Sequence, residues 1–323
     1  MHDTARPDHA ADTTTREEWF ERLDEIGEEL GYFERLGDNH AAFFADADQE
    51  TLLVTFETVE SIRAAGGGRM PMGYSIASAE GWSHLCLIAE GETWYRDPAV
   101  WGYFDRLVDD AFFEDFDRVV FYGAGMCGYA AAAFSVAAPG ANVIALRPQA
   151  SLDPRVSEWD SRFTRFRRLD FTSRYGFAPD MIEGAGQVHV LYDPGRNLDA
   201  MHAALFARAH VTRFRCRHMS GRMEQDLSRM NLLPEMLRLA GRGVFDAPAF
   251  HRLYRARRDH LPYLLRLLGR LESRHRHGLM TLLARWALRR QEHPRLRQMQ
   301  NKAEAELARD GNGAEGATDT AGA

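Results

Sequence analysis

Three kinds of side chain in this sequence could together carry out nucleophilic chemistry. Cys127 lies in a glycine-rich segment, Asp193 directly follows an apolar run at 188–192, and His218 follows another at 211–214. A thiol, an imidazole that accepts its proton and a carboxylate that orients the imidazole are the groups of cysteine-dependent acyl transfer. One candidate activity is therefore that of an acyl hydrolase or transferase using these three residues.

The glycine-rich segment at 123–128 reads GAGMCG, which has the G-x-G-x-x-G spacing of phosphate-binding loops. Backbone N–H groups at the start of a helix attract anions. A dinucleotide site would also need an acidic residue about 20 positions further on, at the end of the next strand. Arg147 stands at that place. We therefore expect no nucleotide, no other cofactor and no metal.

Short apolar runs bounded by turn residues predict the strands that would position these groups. The runs lie at 52–56, 85–89, 119–122, 143–146, 188–192 and 211–214. Helix-length segments alternate with them, at 98–110, 126–138 and 198–207. Such alternation predicts an α/β fold with a doubly wound, mostly parallel sheet that helices cover on both faces.

Helices are predicted at both ends of this alternating region. Residues 16–30 have apolar side chains at helical spacing, with Thr15 as the N-cap and Glu18 three positions on. After about residue 223 the strand signals stop. Successive helices are then predicted at 232–239, 247–271, 279–290 and 296–308.

The strand at 119–122, the sharp turn and the helix after it resemble the nucleophile elbow of the α/β-hydrolase superfamily. In that family the nucleophile sits at the apex of a strained turn, and small residues two before and two after it let strand and helix approach closely. The resemblance covers about residues 45–230 and implies a sheet of α/β-hydrolase type. A segment at 147–154 is also similar to one in bacterial hydrolase-like proteins of polysaccharide clusters.

The register of the elbow decides which residue stands at its apex. With Gly125 at the apex, the flanking residues are Gly123 and Cys127, and both are small. With Cys127 at the apex, the trailing position is Tyr129, whose ring would obstruct the close packing of the helix. We therefore favour Gly125, which has no side chain and cannot form an acyl-enzyme intermediate.

The resemblance implies that the acid and the histidine follow later strands, in that order. Asp193 stands where the acid is expected, and Asp199 is an alternative that also suits a residue stabilised by a helix N-terminus. His218 is the candidate base. The pair Gly221-Arg222 resembles a Gly-His pair of related sequences, and an arginine in the place of the base could not accept a proton.

We therefore interpret the chain first as a hydrolase-like protein that lacks a complete triad and serves in binding or scaffolding; the sequence leaves open whether it is an enzyme. An unknown small molecule is expected in the crevice at the strand ends. The residues expected to line this crevice are Phe56, Glu57, Gly125, Met126 and Arg222.

The chain is also similar to bacterial sequences that carry the label phosphoadenosine phosphosulfate reductase. That family resembles an adenine-nucleotide α-hydrolase fold with an SGGxDS-like phosphate loop and a C-terminal ECGxH-like segment that carries the thiol. Neither segment occurs here, and the last cysteine, Cys216, stands in the sequence RCRH. A sulfonucleotide reductase is thus an alternative that rests on this label and on no motif of the sequence.

Length and composition suit one substantial α/β core with a smaller unit beside it, since 45% of the 323 residues are hydrophobic. We expect an α/β-hydrolase-like domain at 16–240 and a helical, arginine-rich extension at 241–309. The polar ends at 1–15 and 310–323 are predicted to be disordered tails.

The charges are distributed unevenly along the chain. Residues 1–120 contain 9 Arg against 27 acidic residues, and the region from Arg238 to Arg297 contains 15 Arg against four acids. The basic C-terminal helices could face an acidic partner. A general arginine preference explains the excess as well, because Lys302 is the only lysine.

The compartment follows from what the sequence lacks. No apolar stretch approaches the roughly 20 residues of a membrane span, and residues 1–11 lack the apolar centre of a secretory signal. The three cysteines show no CxxC pair, which argues against a disulfide framework and a thiolate zinc site. We expect a bacterial, cytoplasmic protein.

Overall fold

The computed structural model describes residues 15–65 and 70–316, and its centre is an eight-stranded sheet. The strands are β1 (Gly31–Leu36), β2 (His40–Ala45), β3 (Asp48–Thr58), β4 (Trp82–Ala89), β5 (Arg118–Ala124), β6 (Asn142–Leu146), β7 (Gln187–Tyr192) and β8 (Val211–Arg215). Their order across the sheet is β1-β2-β4-β3-β5-β6-β7-β8. β2 pairs antiparallel with β1 and β4, and the pairs from β4 to β8 are parallel. This arrangement confirms the predicted mostly parallel sheet of α/β-hydrolase type.

Helices flank the sheet and continue to the end of the described chain. They are α1 (Arg16–Leu30), α2 (Val59–Ala65), α3 (Met72–Glu80), α4 (Pro98–Asp109), α5 (Met126–Phe134), α6 (Pro154–Ser157), α7 (Ala178–Met181), α8 (Asn197–Leu205), α9 (Met223–Arg229), α10 (Leu232–Gly241), α11 (Ala247–Leu253), α12 (Leu261–Glu272), α13 (His277–Leu288) and α14 (Pro294–Gly316). None of these helices has the length and apolar character needed to cross a membrane. α14 extends past residue 310, where the sequence predicts a tail, and the rest of the predicted tails, at 1–14 and 317–323, lies outside the described residues.

β1 and β2 form an N-terminal hairpin that the pattern of apolar runs does not predict. β1 mixes aromatic and charged residues at the edge of the sheet, and half of β2 is alanine, which has a low strand preference. Gly37 begins the turn between them with φ 64°, a conformation that glycine adopts without strain. The six strands that follow, β3 to β8, are the six predicted ones.

Alternate residues of the central strands face two different clusters of buried side chains. Val54 and Phe121 belong to the cluster that includes the alanine-rich helix α5, whereas Leu53 and Tyr122 belong to the cluster on the other face. This second cluster also contains side chains of α10, α12, α13 and α14. The C-terminal helices therefore share a core with the sheet, and the boundary predicted after residue 240 passes through that core.

Candidate functional site

The turn between β5 and α5 places Gly125 at its apex. Gly125 has φ 61° and ψ −122°, the conformation of the first central residue of a type II′ turn, which favours glycine. Its N–H donates to the carbonyl of Leu146 over 2.8 Å, and its carbonyl accepts from the N–H of Tyr129 over 2.9 Å. These two bonds tie the turn to the end of β6 and to the first turn of α5.

The space around the glycines of this turn explains why Gly125, flanked by close backbone contacts, stands at the apex. A Cβ atom on Gly123 would lie 2.0 Å from the carbonyl oxygen of Cys127, and one on Gly128 would lie 3.1 Å from the carbonyl oxygen of Gly123. A Cβ atom on Gly125 would meet no atom within 4 Å. The apex therefore has room for a side chain, but the residue there has none.

Cys127 lies in the first turn of α5, buried beneath the apex. Its sulfur is 3.5 Å from the hydroxyl oxygen of Tyr95, which itself lies 2.8 Å from the carbonyl oxygen of Glu57. Because the tyrosine O–H donates to that carbonyl, the thiol donates to the tyrosine oxygen. Burial raises the pKa of the Cys127 thiol to about 12. The sulfur is thus held as a neutral thiol.

Asp193 and His218 lie where the strand order leads one to expect them, after β7 and β8. The Asp193 carboxylate is buried and accepts from the N–H of Gly195 over 2.8 Å. His218 is half-buried with φ 66°, and burial followed by the charge of Arg270 lowers the pKa of its imidazole, while Asp193 opposes this. The charged groups with the largest effects on Cys127 are Glu224 and Glu57. The thiol bonds to Tyr95, so the described contacts do not join it to the predicted base or acid.

Two further residues from the sequence analysis lie on helices at this edge. Arg222 is exposed and ends a short 3₁₀ turn just before α9. Asp199 lies in the first turn of α8, where its Oδ1 accepts from Arg162 over 2.5 Å. Asp199 therefore forms an ion pair with Arg162 at the start of α8.

A cleft of about 600 Å³ opens at the carboxyl ends of β3 and β5, and we call it the edge cleft. Its lining residues are Phe56, Glu57, Thr58, Ser61, Ala64, Met72, Ala124, Cys127, Glu224, Gln225, Ser228, Arg229 and Leu233. Of the predicted crevice residues it includes Phe56 and Glu57, whereas Gly125, Met126 and Arg222 are not among the lining residues. The sulfur of Met126 instead accepts from the N–H of Trp94 over 3.1 Å.

Glu57 is the buried carboxylate at the floor of the edge cleft. Its Oε2 accepts from the N–H of Met72 over 2.9 Å, and its Oε1 accepts from the N–H of Gly73 over 3.0 Å. Pro71, the N-cap of α3, makes no side-chain cap. Glu57 therefore supplies the oxygens that the first N–H groups of α3 require. Burial raises the pKa of this carboxyl, although the N–H groups oppose the shift.

A buried hydrogen-bonded chain connects Glu57 to β4. The hydroxyl of Thr55 donates to Glu57 Oε1 over 3.0 Å and lies 2.9 Å from His84 Nε2, which therefore carries the proton. Burial lowers the pKa of His84 to about 3, so its ring is neutral. Ligand atoms of Glu57, His84 and Cys86 lie within 4.8 Å of one another, and these residue types can hold a zinc ion. Thr55 already satisfies the imidazole N–H and one carboxylate oxygen, whereas Nδ1 of His84 is buried and has no hydrogen-bond partner among the described residues.

Glu224 brings a second carboxylate to the edge cleft from the first turn of α9. The hydroxyl of Tyr122, on β5, donates to Glu224 Oε1 over 2.6 Å. Sequence reasoning did not select Glu224, Tyr122, Thr55 or His84. A signal for two of them exists, because Thr55 with Glu57 and His84 with Cys86 are polar pairs at the two-residue spacing of one strand face, within otherwise apolar strands.

A second cavity, of about 450 Å³, lies at the opposite edge of the sheet. Val119 and Asn142, at the amino ends of β5 and β6, are among its lining residues. Open α/β sheets bind ligands outside the carboxyl ends of their strands. The edge cleft is therefore the better candidate for a ligand site.

The comparisons with known proteins gave similarities to solved structures alone. No protein-family model and no curated protein matches the chain. An esterase from the archaeon Pyrobaculum calidifontis is 16% identical over 73% of this chain and 89% of its own, with a TM-score of 0.36. The capsule O-acetyltransferase of Neisseria meningitidis serogroup A is 11% identical over 61% of this chain and 91% of its own, with a TM-score of 0.36. Carboxyl esterase 2 of the fungus Tuber melanosporum is 12% identical over 64% of this chain and 82% of its own, with a TM-score of 0.38.

Proposed function

We propose that this hydrolase-like protein binds a small molecule at the carboxyl edge of its sheet and performs no nucleophilic acyl transfer. The observation that carries the proposal is Gly125, which stands at the apex of the β5–α5 turn with φ 61° and ψ −122°. Acyl transfer through a covalent intermediate needs a nucleophilic side chain, and glycine has none. The turn keeps the shape of an elbow without its reacting group.

The edge cleft supports the binding part of the proposal. It offers the carboxylates of Glu57 and Glu224 and the hydroxyl groups of Thr58, Ser61 and Ser228. Neither carboxylate forms an ion pair with any residue in the described part of the chain. The cleft therefore favours a ligand that donates hydrogen bonds, and its apolar walls would bury the rest of that ligand.

A cysteine-dependent acyl hydrolase or transferase fits the contacts less well. With a pKa of about 12, roughly one Cys127 thiol in 10⁵ is ionised at pH 7. Burial is the main cause of this raised pKa, and the hydrogen-bond partner of the thiol is the phenol of Tyr95 rather than an imidazole. Cys216, the cysteine that a sulfonucleotide reductase would require, is likewise buried, and burial raises its pKa to about 12.

A turnover assay tests the proposal. The purified protein is incubated with panels of carboxylic esters and thioesters, alongside a Cys127→Ala variant and buffer alone. We expect the rates of both proteins to equal the buffer rate. Turnover by the unaltered protein that Cys127→Ala abolishes would establish the cysteine mechanism and reject the proposal.

A further inference from the structure

Three arginines lie close enough to His218 to affect its imidazole, at the other end of the same sheet edge. Arg217 lies two residues after β8 ends, Arg270 lies in the last turn of α12, and Arg274 lies two residues after that helix ends. All three side chains are exposed. We call these three residues the arginine patch.

Two hydrogen bonds of Arg266 hold α12, which carries Arg270, beside the loop that carries His218. Arg266, on α12, donates through Nε to the carbonyl oxygen of His218 over 3.0 Å and through Nη2 to Asp226 over 2.5 Å. α12 is thereby held against the loop that follows β8. Arg270 lies four residues further along α12 than Arg266, so the two share one face of the helix.

The loop after β7 meets the same arginines. A Cβ atom on Gly195 would lie 3.9 Å from Nη1 of Arg270. The Arg270 guanidinium therefore lies over the loop between Asp193 and α8. Arg270 thus lies at the loop after β7, and Arg217 belongs to the loop after β8. Both loops follow carboxyl ends of strands, which is where open α/β sheets bind ligands.

The positive charge of the patch is not balanced within the described part of the chain. Elsewhere in the C-terminal helices, Arg285 bonds to Glu304 and Arg290 bonds to Asp259. No residue of the arginine patch forms an ion pair with a described residue. Asp193 is the acid that opposes the effect of the patch on the pKa of His218. Its side chain is buried and already accepts from the N–H of Gly195.

The positive charge of the patch acts on the imidazole of His218. Burial is the largest cause of the lowered pKa of His218; Arg270, Arg217 and Arg274 lower this pKa further, and Asp193 opposes them. A site that destabilises a proton on a neighbouring imidazole also stabilises an anion placed beside it, because both effects arise from the same positive potential.

We propose that the arginine patch binds the phosphate or sulfate group of a small soluble ligand. Guanidinium groups match such anions with pairs of parallel N–H donors, and the patch supplies three exposed guanidinium groups from the loop after β8 and the end of α12. This anion site is separate from the edge cleft and does not depend on whether the protein catalyses acyl transfer.

Inorganic pyrophosphate is the probe for the test, and isothermal titration calorimetry at low ionic strength is the measurement. The full chain is compared with the double variant Arg270→Gln/Arg274→Gln. The matched control is Arg255→Gln/Arg289→Gln, which removes two exposed arginines outside the patch and makes the same change in net charge. We expect one site on the unaltered chain, affinity at least about tenfold weaker in the patch variant, and little change in the control. Equal thermal midpoints would show that all three proteins are folded.

Three results would overturn the proposal. Pyrophosphate could fail to bind, or both double variants could lose affinity equally, which would indicate a general effect of net charge. Sedimentation with phosphatidylglycerol vesicles in the absence of any affinity for free pyrophosphate would show instead that the patch faces a lipid surface. The ester and thioester assay does not bear on these outcomes, so the two proposals can fail separately.

Discussion

The two ends of the carboxyl edge of the sheet have opposite chemistry. At the ends of β3 and β5, the carboxylates of Glu57 and Glu224 line a cleft, and buried hydrogen bonds hold them in place. At the ends of β7 and β8, the arginine patch is exposed and lacks balancing charge in the described chain. Gly125 directly follows β5, which lies between β3 and β6 in the sheet. The two proposals therefore assign different ligand chemistry to one sheet edge, a group that donates hydrogen bonds at the edge cleft and an anion at the arginine patch.

The largest effect is expected from Gly123→Ala, which tests the turn between the two ends. The new Cβ atom would lie 2.0 Å from the Cys127 carbonyl oxygen, and backbone cannot move aside cheaply. We expect a loss of more than about 3 kcal/mol in the free energy of unfolding, measured by urea denaturation. Gly184→Ala, where a Cβ atom would meet nothing within 4 Å, is the control and should cost less than about 1 kcal/mol. Similar losses at both positions would contradict the tight elbow.

The next largest effect is expected from the buried hydrogen bonds beneath the edge cleft. Thr55→Val removes the hydroxyl that joins Glu57 to His84, and leaves a buried imidazole N–H without an acceptor. We expect a loss of about 2 kcal/mol in the free energy of unfolding. Thr212→Val makes the same change at a half-buried position on β8 and should stay within about 0.5 kcal/mol. If the two variants are equally stable, the buried chain contributes nothing.

A smaller effect appears in the dependence of stability on pH. The pKa of His84 falls to about 3 in the folded protein, so as pH drops below about 6.5 the unfolded chain takes up a proton that folded His84 does not. The folded state therefore loses about 1.4 kcal/mol per pH unit from this residue between pH 6 and pH 4. We expect His84→Gln to reduce the slope of unfolding free energy against pH by about that amount.

His40 and His189, whose pKa values burial lowers to about 4, should maintain part of the slope in that variant. His275→Gln removes an exposed imidazole next to the arginine patch and is the matched control. Urea denaturation at pH 4, 5 and 6 gives the slopes. An unchanged slope in His84→Gln would mean that the buried imidazole is not held neutral.

Local signals predicted much of the fold because they need only neighbouring residues. The apolar runs of β3 to β8 and the glycine spacing of the elbow are such signals. So is the cap of α1, where Thr15 and Glu18 exchange hydrogen bonds across three positions. The hairpin of β1 and β2 was not predicted, because an edge strand with charged residues and an alanine-rich strand lack a distinct pattern.

The chemistry of the candidate site depended on contacts that no local pattern contains. Tyr122 meets Glu224 from 102 positions away, and Tyr95 meets Cys127 from 32. Arg266 reaches His218 across 48 positions. Sequence reasoning could place each residue on a strand end or helix, but it could not tell that the thiol bonds to a phenol rather than to an imidazole.

The most direct test of the empty elbow is a search for a covalent intermediate by mass spectrometry. The protein is mixed with p-nitrophenyl acetate, quenched with acid within seconds, and digested so that the peptide spanning residues 119–138 can be weighed. Our account predicts that this peptide keeps its unmodified mass, since Gly125 has no nucleophile and Cys127 remains a neutral thiol. An acetyl group on Cys127 that forms rapidly and then disappears as the substrate is consumed would contradict the account.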